Sequence, residues 1–250
     1  LMNLLTSFKI KKAIEMANAE LSAGNFVIFI FTYTGEAAME RCIRKNQKSP
    51  SSRIYDALEE YNDGSIDTYT DVFDKDELDP MDQIINYYGN NAIAEITGRS
   101  RRFVHSEKGW SIERINRTNE LNAFQNGEKR IAILSRAGGI GLSLHDNGKG
   151  KRINFVIELP WSSEDFVQII GRSHRAASVT PPSYYLMTMN LPSEARIAYS
   201  LSKRVQCMGA LSRGNRSACD VLNLGETFGN TTSTQARRTF CLKLIISKVI

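Results

Sequence analysis

The stretch "RIAILSRAGGIGLSL", residues 130–144, joins a run of apolar residues to a loop with three glycines. The apolar run ends at Ser135 and is typical of a strand buried on both faces of a sheet. Glycines at 138, 139 and 141 allow positive φ and leave backbone N–H groups open to an anion. The segment therefore predicts a strand followed by a loop that either holds phosphate or makes a tight turn without a ligand.

Apolar strands and helical segments alternate on both sides of this stretch. Three further apolar runs, "NFVIFIF", "RINFVIEL" and "SYYLMTM", have the composition of buried strands. Helices are predicted before, between and after these runs, at 7–23, 32–44, 80–88, 118–126, 163–175 and 192–208. Strands separated by helices predict an α/β fold, with a parallel sheet flanked by helices.

The remaining segments differ in charge and polarity. The segment "RRFVHSEKGWSIERI" predicts a hairpin, and residues 47–79 read as an acidic insert or linker. Residues 53–82 hold eleven acids against two bases, so the rest of a chain of net charge +5 carries about +14. Such a basic body fits a polyanionic partner, although a solvated basic surface would have the same composition. We place one lobe at 1–220, with a basic loop at 209–218, and a C-terminal helical extension at 221–250.

The segment "QIIGRSHRAAS", which begins at Gln168, combines two arginines with a glycine. If the helix continues at 100° per residue, Gln168, Arg172 and Arg175 share one face. That face lies opposite the apolar side that contains Phe166, and Gly171 beside it would let another surface approach closely. Guanidinium groups match phosphate oxygens, so the face predicts a phosphate site. A solvated arginine face is the plainer alternative.

A dinucleotide-binding fold is a competing interpretation of the glycine loop. Gly139 and Gly141 follow a strand, and Glu158 ends the next strand at a suitable distance. However, Leu144 stands where a third glycine is needed, and about ten residues separate Gly141 from the next strand. A covering helix of ordinary length does not fit there, which argues against this fold.

The motifs resemble those of a known family. "SRAGGIGLSL" and "QIIGRSHR" resemble motifs V and VI of superfamily 2 helicases, in a form close to Swi/Snf-type remodelling ATPases. The C-terminal helicase domain of the Strawberry notch family is similar in finer detail, through "TGEAAMER", "AEITGRSRRFV", "FQNGEKRIAILS", "ELPWSSEDFVQIIGRSHRAASVTPPSYY" and "KRVQCMGALSRGNRSA". The resemblance extends from about Ile10 to Ala218. It implies a RecA-like second lobe of a helicase or translocase, in which ATP and Mg²⁺ lie between two lobes.

The resemblance also implies roles for individual residues. The implied arginine fingers, with a glutamine that lines the same site, are Arg172, Arg175 and Gln168. Glycines implied near the nucleotide are Gly139, Gly141 and Gly171, and the motif IV positions implied to contact DNA or RNA are Thr32 and Thr34. Clustered charge adds further candidates for phosphate contacts, each of which could equally be a solvated patch: Arg99, Arg101, Arg102, Lys203, Arg204, Arg213 and Arg216.

The chain contains no G-x-x-x-x-G-K-[ST] loop and no convincing DExH box on a strand. We interpret it as the C-terminal half of a motor, which begins at a leucine and needs an N-terminal lobe for ATP hydrolysis. The alternative is an inactive helicase-like scaffold for transcription or chromatin factors. The four cysteines lack zinc-site spacing, no apolar run is long enough to span a membrane, and we expect an intracellular, nuclear protein.

Overall fold

The computed structural model describes residues 2–32, 36, 40, 79–106, 109–136, 138, 141–189 and 191–213. Its centre is a five-stranded sheet in which every neighbouring pair is parallel. The predicted α/β fold with a helix-flanked parallel sheet is confirmed. The acidic insert and the C-terminal extension lie outside the described residues, as does most of the predicted helix at 32–44.

The described elements follow one another along the chain as helices α1 to α5 and strands β1 to β7. The helices are α1 Met2–Ser22, α2 Pro80–Tyr88, α3 Arg117–Asn126, α4 Ser163–Ile170 and α5 Pro192–Arg213. The strands are β1 Phe26–Phe31, β2 Ile93–Ile96, β3 Arg101–Ser106, β4 Gly109–Arg114, β5 Ile131–Ser135, β6 Arg152–Val156 and β7 Ser183–Leu186. The sheet order is β2-β5-β1-β6-β7, and β3 and β4 form a separate antiparallel ribbon. No helix among these is long and apolar enough to cross a membrane.

Both faces of the sheet are covered, which explains why its strands read as continuous apolar runs. Alternate residues of β1 pack in two hydrophobic cores, one on each face of the sheet, because successive side chains of a strand point to opposite faces. Phe26, Ile28 and Ile30 pack with residues of α3, α4 and α5. Val27 and Phe29 pack with residues of α1 and α2 on the other face.

Strand β2 and helix α5 differ from the sequence prediction. Strand β2 was not predicted, because it has only four residues and one of them is the charged Glu95, which is fully buried. Helix α5 continues to Arg213, so the predicted loop at 209–218 is wrong over its first five residues, which are helical. The predicted ribbon, and the predicted helix that starts at Pro80, are both confirmed.

The glycine loop lies directly against the end of β2. A Cβ atom on Gly138 would overlap the Ile96 carbonyl oxygen and the backbone of Thr97. The Ser135 hydroxyl holds this contact together, since it accepts hydrogen bonds from Gly138 N at 3.2 Å and from Gly98 N at 3.1 Å. Gly138 is therefore required by close backbone packing, which agrees with the tight-turn interpretation of this part of the loop.

Arg99 fastens the segment after β2 to α2. Its buried guanidinium forms ion pairs with Asp82 at 2.5 Å and with Glu95 at 3.7 Å. Burial alone would lower the pKa of Arg99, but the charges of Asp82, Glu95 and Asp79 outweigh it and the pKa is raised. The side chain belongs to the interior of the fold, where its charge is matched by carboxylates.

We predict that Gly138→Ala lowers the free energy of unfolding by more than about 3 kcal/mol, because backbone atoms cannot move aside as a side chain can. Gly141→Ala is the matched control. Gly141 has φ +77° and no atom near the added Cβ, so its substitution should cost only about 1–2 kcal/mol of backbone strain. Urea unfolding of both variants measures the difference. Equal losses would contradict the packing role of Gly138.

We also predict that Arg99→Ala destabilises the fold by about 3–5 kcal/mol, because it removes the cation that pairs with Asp82 and with the fully buried Glu95. Arg101→Ala, two residues away and exposed, should change stability by less than about 0.5 kcal/mol. Thermal unfolding, monitored by circular dichroism, would measure the difference in stability between the two variants. An Arg99→Ala variant with unchanged stability would show that the ion pairs are dispensable for the stability of the fold.

Candidate functional site

The regular helix α4 ends at Ile170, before the two arginines of its sequence motif. Ser162 caps its start by accepting a hydrogen bond from Asp165 N at 3.4 Å, and Gly171 follows its end with φ −61°. Only Gln168 therefore lies on α4 itself. Arg172 and Arg175 lie in the turn that follows, so the predicted continuous helical face does not exist.

Arg172 is buried, with 8% of its surface exposed, whereas Gln168 and Arg175 are exposed. The prediction that all three point away from the core is thus wrong for Arg172. A Cβ atom placed on Gly171 would lie 3.0 Å from the Val167 carbonyl oxygen and 3.6 Å from that of Gln168. The prediction that Gly171 lets another surface approach stays a prediction.

Two hydrogen bonds join Arg172 to the glycine loop. Its Nη1 donates to the Leu142 carbonyl oxygen at 3.4 Å. Its own carbonyl oxygen accepts from Leu144 N at 2.8 Å. A third link, an ion pair of 3.0 Å between Arg136 and Asp165, connects the start of the loop to the first turn of α4. The structure therefore brings the two predicted motifs together as one unit.

Arg152 holds the far end of the same loop. This fully buried side chain donates from Nε to the Leu144 carbonyl oxygen at 3.2 Å and lies against Phe26 and Phe124, 4.1 and 4.9 Å from their ring centres. Burial lowers the pKa of Arg152 to about 10, although the charge of Asp146 acts in the opposite direction. Sequence analysis did not single out Arg152, since a strand arginine carries no signal of its position in the core.

The two arginines after α4 lie within electrostatic reach of each other. Burial lowers the pKa of Arg172, and the charge of Arg175 lowers it further. Within the described part of the chain, neither guanidinium has a carboxylate partner. Two neighbouring cations without a counter-charge repel each other, and a bound anion would relieve that repulsion.

The predicted glycines fall into different environments. Gly141 has positive φ and open space around it, as a loop exposed to a ligand requires. Gly139 lies outside the described residues. Gly171 has an ordinary helical φ and is half-buried.

Thr32 follows β1 at the carboxyl edge of the sheet. Its backbone N donates to Glu158 Oε2 at 2.8 Å and its hydroxyl to the Glu158 carbonyl oxygen at 3.4 Å. Glu158, the residue that suggested a dinucleotide fold, thus serves to join the ends of two strands. Thr34 lies outside the described residues.

The basic residues predicted to bind nucleic acid divide by exposure. Arg99 and Arg102 are buried beside carboxylates, and Arg102 lies 3.5 Å from Glu113 and 3.7 Å from Glu120. Arg101 and Lys203 are exposed, and Arg204 is half-buried. Arg213 ends α5, with a side chain outside the described set, and Arg216 lies outside the described residues altogether.

Trp161 is an exposed aromatic residue, with 63% of its surface accessible to solvent. The guanidinium of Arg204 lies 4.9 Å from the ring centre and donates to the Trp161 carbonyl oxygen. Across the described ranges, no cluster of three or more His, Cys, Asp or Glu side chains could hold a metal ion.

The amino-acid sequence is similar to those of several known proteins. The human protein strawberry notch homolog 2 is 33% identical over 176 residues, which cover 64% of this chain and 13% of that protein. The Drosophila melanogaster protein strawberry notch is 34% identical over 162 residues, covering 58% and 10%. Protein FORGETTER 1 of Arabidopsis thaliana is 33% identical over 156 residues, covering 56% and 12%.

The aligned part of the chain therefore spans only about a tenth of the length of these relatives. A family model described as the C-terminal domain on Strawberry notch homologue matches residues 79–248, more than half of the chain. This match includes the ribbon, the glycine loop, α4 and the arginine turn. The chain belongs to the Strawberry notch family, as a helicase-like C-terminal domain.

Proposed function

We propose that this chain is the second RecA-like lobe of an ATP-dependent helicase or translocase that moves on DNA or RNA. It would supply arginine fingers to a nucleotide held mainly by an N-terminal lobe. The observation that carries the proposal is the pair Arg172 and Arg175, which lies beside the glycine loop without a carboxylate partner among the described residues. The family membership and the sheet architecture support the same assignment.

The two arginines are suited to different parts of this task. Arg175 is exposed and makes no side-chain hydrogen bond to the described residues, so its guanidinium can reach across an interface. Arg172 is fixed by the Leu142 carbonyl and keeps its remaining N–H groups for a ligand. Guanidinium groups stabilise the charge that develops on a transferred phosphoryl group. We assign Arg175 as the finger and Arg172 as the more rigid member of the pair, with Gln168 and Gly141 lining the same site.

ATP would supply the phosphoryl group, and Mg²⁺ would neutralise its charge. The arginine pair fits an anionic group of this kind. The described residues contain no carboxylate cluster suited to the metal, so its ligands would belong to the N-terminal lobe. Because the chain aligns with only 10–13% of its curated relatives, the activity of the whole protein is part of the proposal.

Nucleic acid would contact exposed cations and Trp161. Arg101 and Lys203 are exposed, and the Trp161 ring with Arg204 beside it combines stacking with positive charge. Such pairs suit a single strand, because stacking tolerates any base. Buried Arg99 is left out of this surface.

We predict that Arg175→Ala lowers kcat for ATP at least about 10³-fold in the protein that joins this chain to its N-terminal lobe, with little change in nucleic-acid affinity. Arg196→Ala, which removes an exposed arginine from α5, is the matched control and should leave kcat unchanged. Steady-state ATPase rates with and without nucleic acid give the result.

An unchanged rate for Arg175→Ala would remove its finger role. Absence of any ATPase activity in the intact protein would favour the scaffold alternative. The isolated 250-residue chain should hydrolyse ATP negligibly, since it contains no Walker loop. A robust rate from that chain, abolished by Arg175→Ala, would overturn the half-motor assignment.

A further inference from the structure

The arginine turn, residues 171–180, carries a short exposed loop between two attached ends. Residues 174–177 are exposed, and Arg175 is one of them. Arg172 and Ser173, which precede this loop, are buried. The Ser178 amide donates to the Arg175 carbonyl oxygen at 3.0 Å and makes the bend tight. The direction of the Arg175 side chain therefore depends on what holds the two ends of the turn.

Both ends are fastened to one short segment of backbone, residues 144–146. At one end the Leu144 amide donates to the Arg172 carbonyl oxygen at 2.8 Å. At the other end the Val179 amide donates to the Asp146 carbonyl oxygen at 3.0 Å. Because Leu144 and Asp146 are two residues apart in the chain, at most about 7 Å separates their Cα atoms. This segment thus closes the loop that carries Arg175.

The Asp146 side chain reinforces the second attachment. Asp146 is 1% exposed, and its Oδ2 accepts a hydrogen bond from the Thr180 hydroxyl at 2.6 Å. Its Oδ1 accepts from the amides of Gly148 at 2.8 Å and of Gly150 at 3.1 Å. The carboxylate therefore joins the segment before β6 to the end of the arginine turn. Sequence analysis gave neither Asp146 nor Thr180 a role.

The electrostatic surroundings favour the ionised form of Asp146. Burial raises the pKa of this carboxyl. The hydrogen bonds from Thr180 and from the two glycine amides, together with the charge of Arg152, outweigh burial, and the pKa of Asp146 is lowered. An ionised carboxylate accepts a stronger hydrogen bond than a neutral group does. Asp146 is thus suited to hold Thr180 in one position.

We propose that Asp146, acting through Thr180, is a positioning residue that holds the arginine turn closed and presents Arg175 to the nucleotide. The proposal deepens the proposed function, because its effect on turnover rests on Arg175 acting as an arginine finger. A fixed guanidinium stabilises the transition state best, since a displacement of about 1 Å can lower a rate about 10²-fold. Loss of the link between Asp146 and Thr180 should therefore lower kcat and leave KM unchanged.

Thr180→Val tests this link, because valine keeps the branched shape of threonine and lacks the hydroxyl. In the protein that joins this chain to its N-terminal lobe, we expect kcat for ATP to fall at least about tenfold, with KM for ATP and nucleic-acid affinity unchanged. Thr180→Ser keeps the hydroxyl and should restore kcat. In an Arg175→Ala background, Thr180→Val should cause no further loss, since both substitutions act on one group.

Thr6→Val is the matched control on α1. It also removes a buried threonine hydroxyl that donates to a carboxylate, in this case Glu158 Oε1 at 3.2 Å. Both valine variants should lower the unfolding temperature, and only Thr180→Val should lower kcat. Equal losses of kcat would identify general destabilisation as the cause and overturn the proposal. A Thr180→Ser variant as slow as Thr180→Val would overturn it too.

Amide hydrogen exchange of the 250-residue chain examines the turn without ATP turnover. The Ser178 and Val179 amides should exchange faster in Thr180→Val than in Thr180→Ser or the unmodified chain, while those of β1 stay unchanged. Unchanged exchange in the turn would overturn the link between Asp146 and Thr180, whatever the ATPase rates.

The two measurements also separate this proposal from the finger assignment. Faster exchange with an unchanged kcat in Thr180→Val, beside a defective Arg175→Ala variant, would overturn the positioning role and keep the finger. If Arg175→Ala itself leaves kcat unchanged, the proposed function fails and with it the effect on turnover. Exchange then decides alone whether Asp146 and Thr180 hold the turn closed.

Discussion

The backbone of Leu144 is held from both sides, and the arrangement of the site depends on this constraint. Its N–H donates to the Arg172 carbonyl at 2.8 Å, and its carbonyl accepts from the buried Arg152 at 3.2 Å. Leu144 itself is fully buried in the core beneath α4. One residue thus fixes the end of the glycine loop relative to β6 and to the turn after α4.

This constraint explains how the fold keeps two cations close together. Arg172 follows the C-terminal end of α4. The N-terminal end of α4 is linked to the glycine loop by the ion pair between Arg136 and Asp165. Displacing the backbone of Arg172 would break its hydrogen bonds to the glycine loop. The Leu142 carbonyl, in the glycine loop, also accepts a hydrogen bond from Arg172.

The sequence predicted the sheet well where strands were apolar on both faces. It missed β2, which is short and contains the buried Glu95, whose carboxylate is partnered by Arg99 and by the Thr97 hydroxyl. Periodicity placed Gln168 correctly but failed for Arg172, because a helical angle has no meaning beyond the end of the helix. The cluster "GRSRR" looked uniform in sequence. Its members separate into buried and exposed arginines only through contacts with Asp82 and Glu120, which are distant in the chain.

We propose that Arg172 and Arg175 complete a phosphoryl site whose other half lies on a second lobe. The decisive measurement is a structure of this chain joined to its N-terminal lobe, with a non-hydrolysable ATP analogue bound. We expect the Arg175 guanidinium within about 2.7–3.1 Å of an oxygen of the terminal phosphate, with Arg172 still bound to the Leu142 carbonyl. An Arg175 side chain paired with a protein carboxylate, or turned to solvent away from the nucleotide, would rule out its role as an arginine finger.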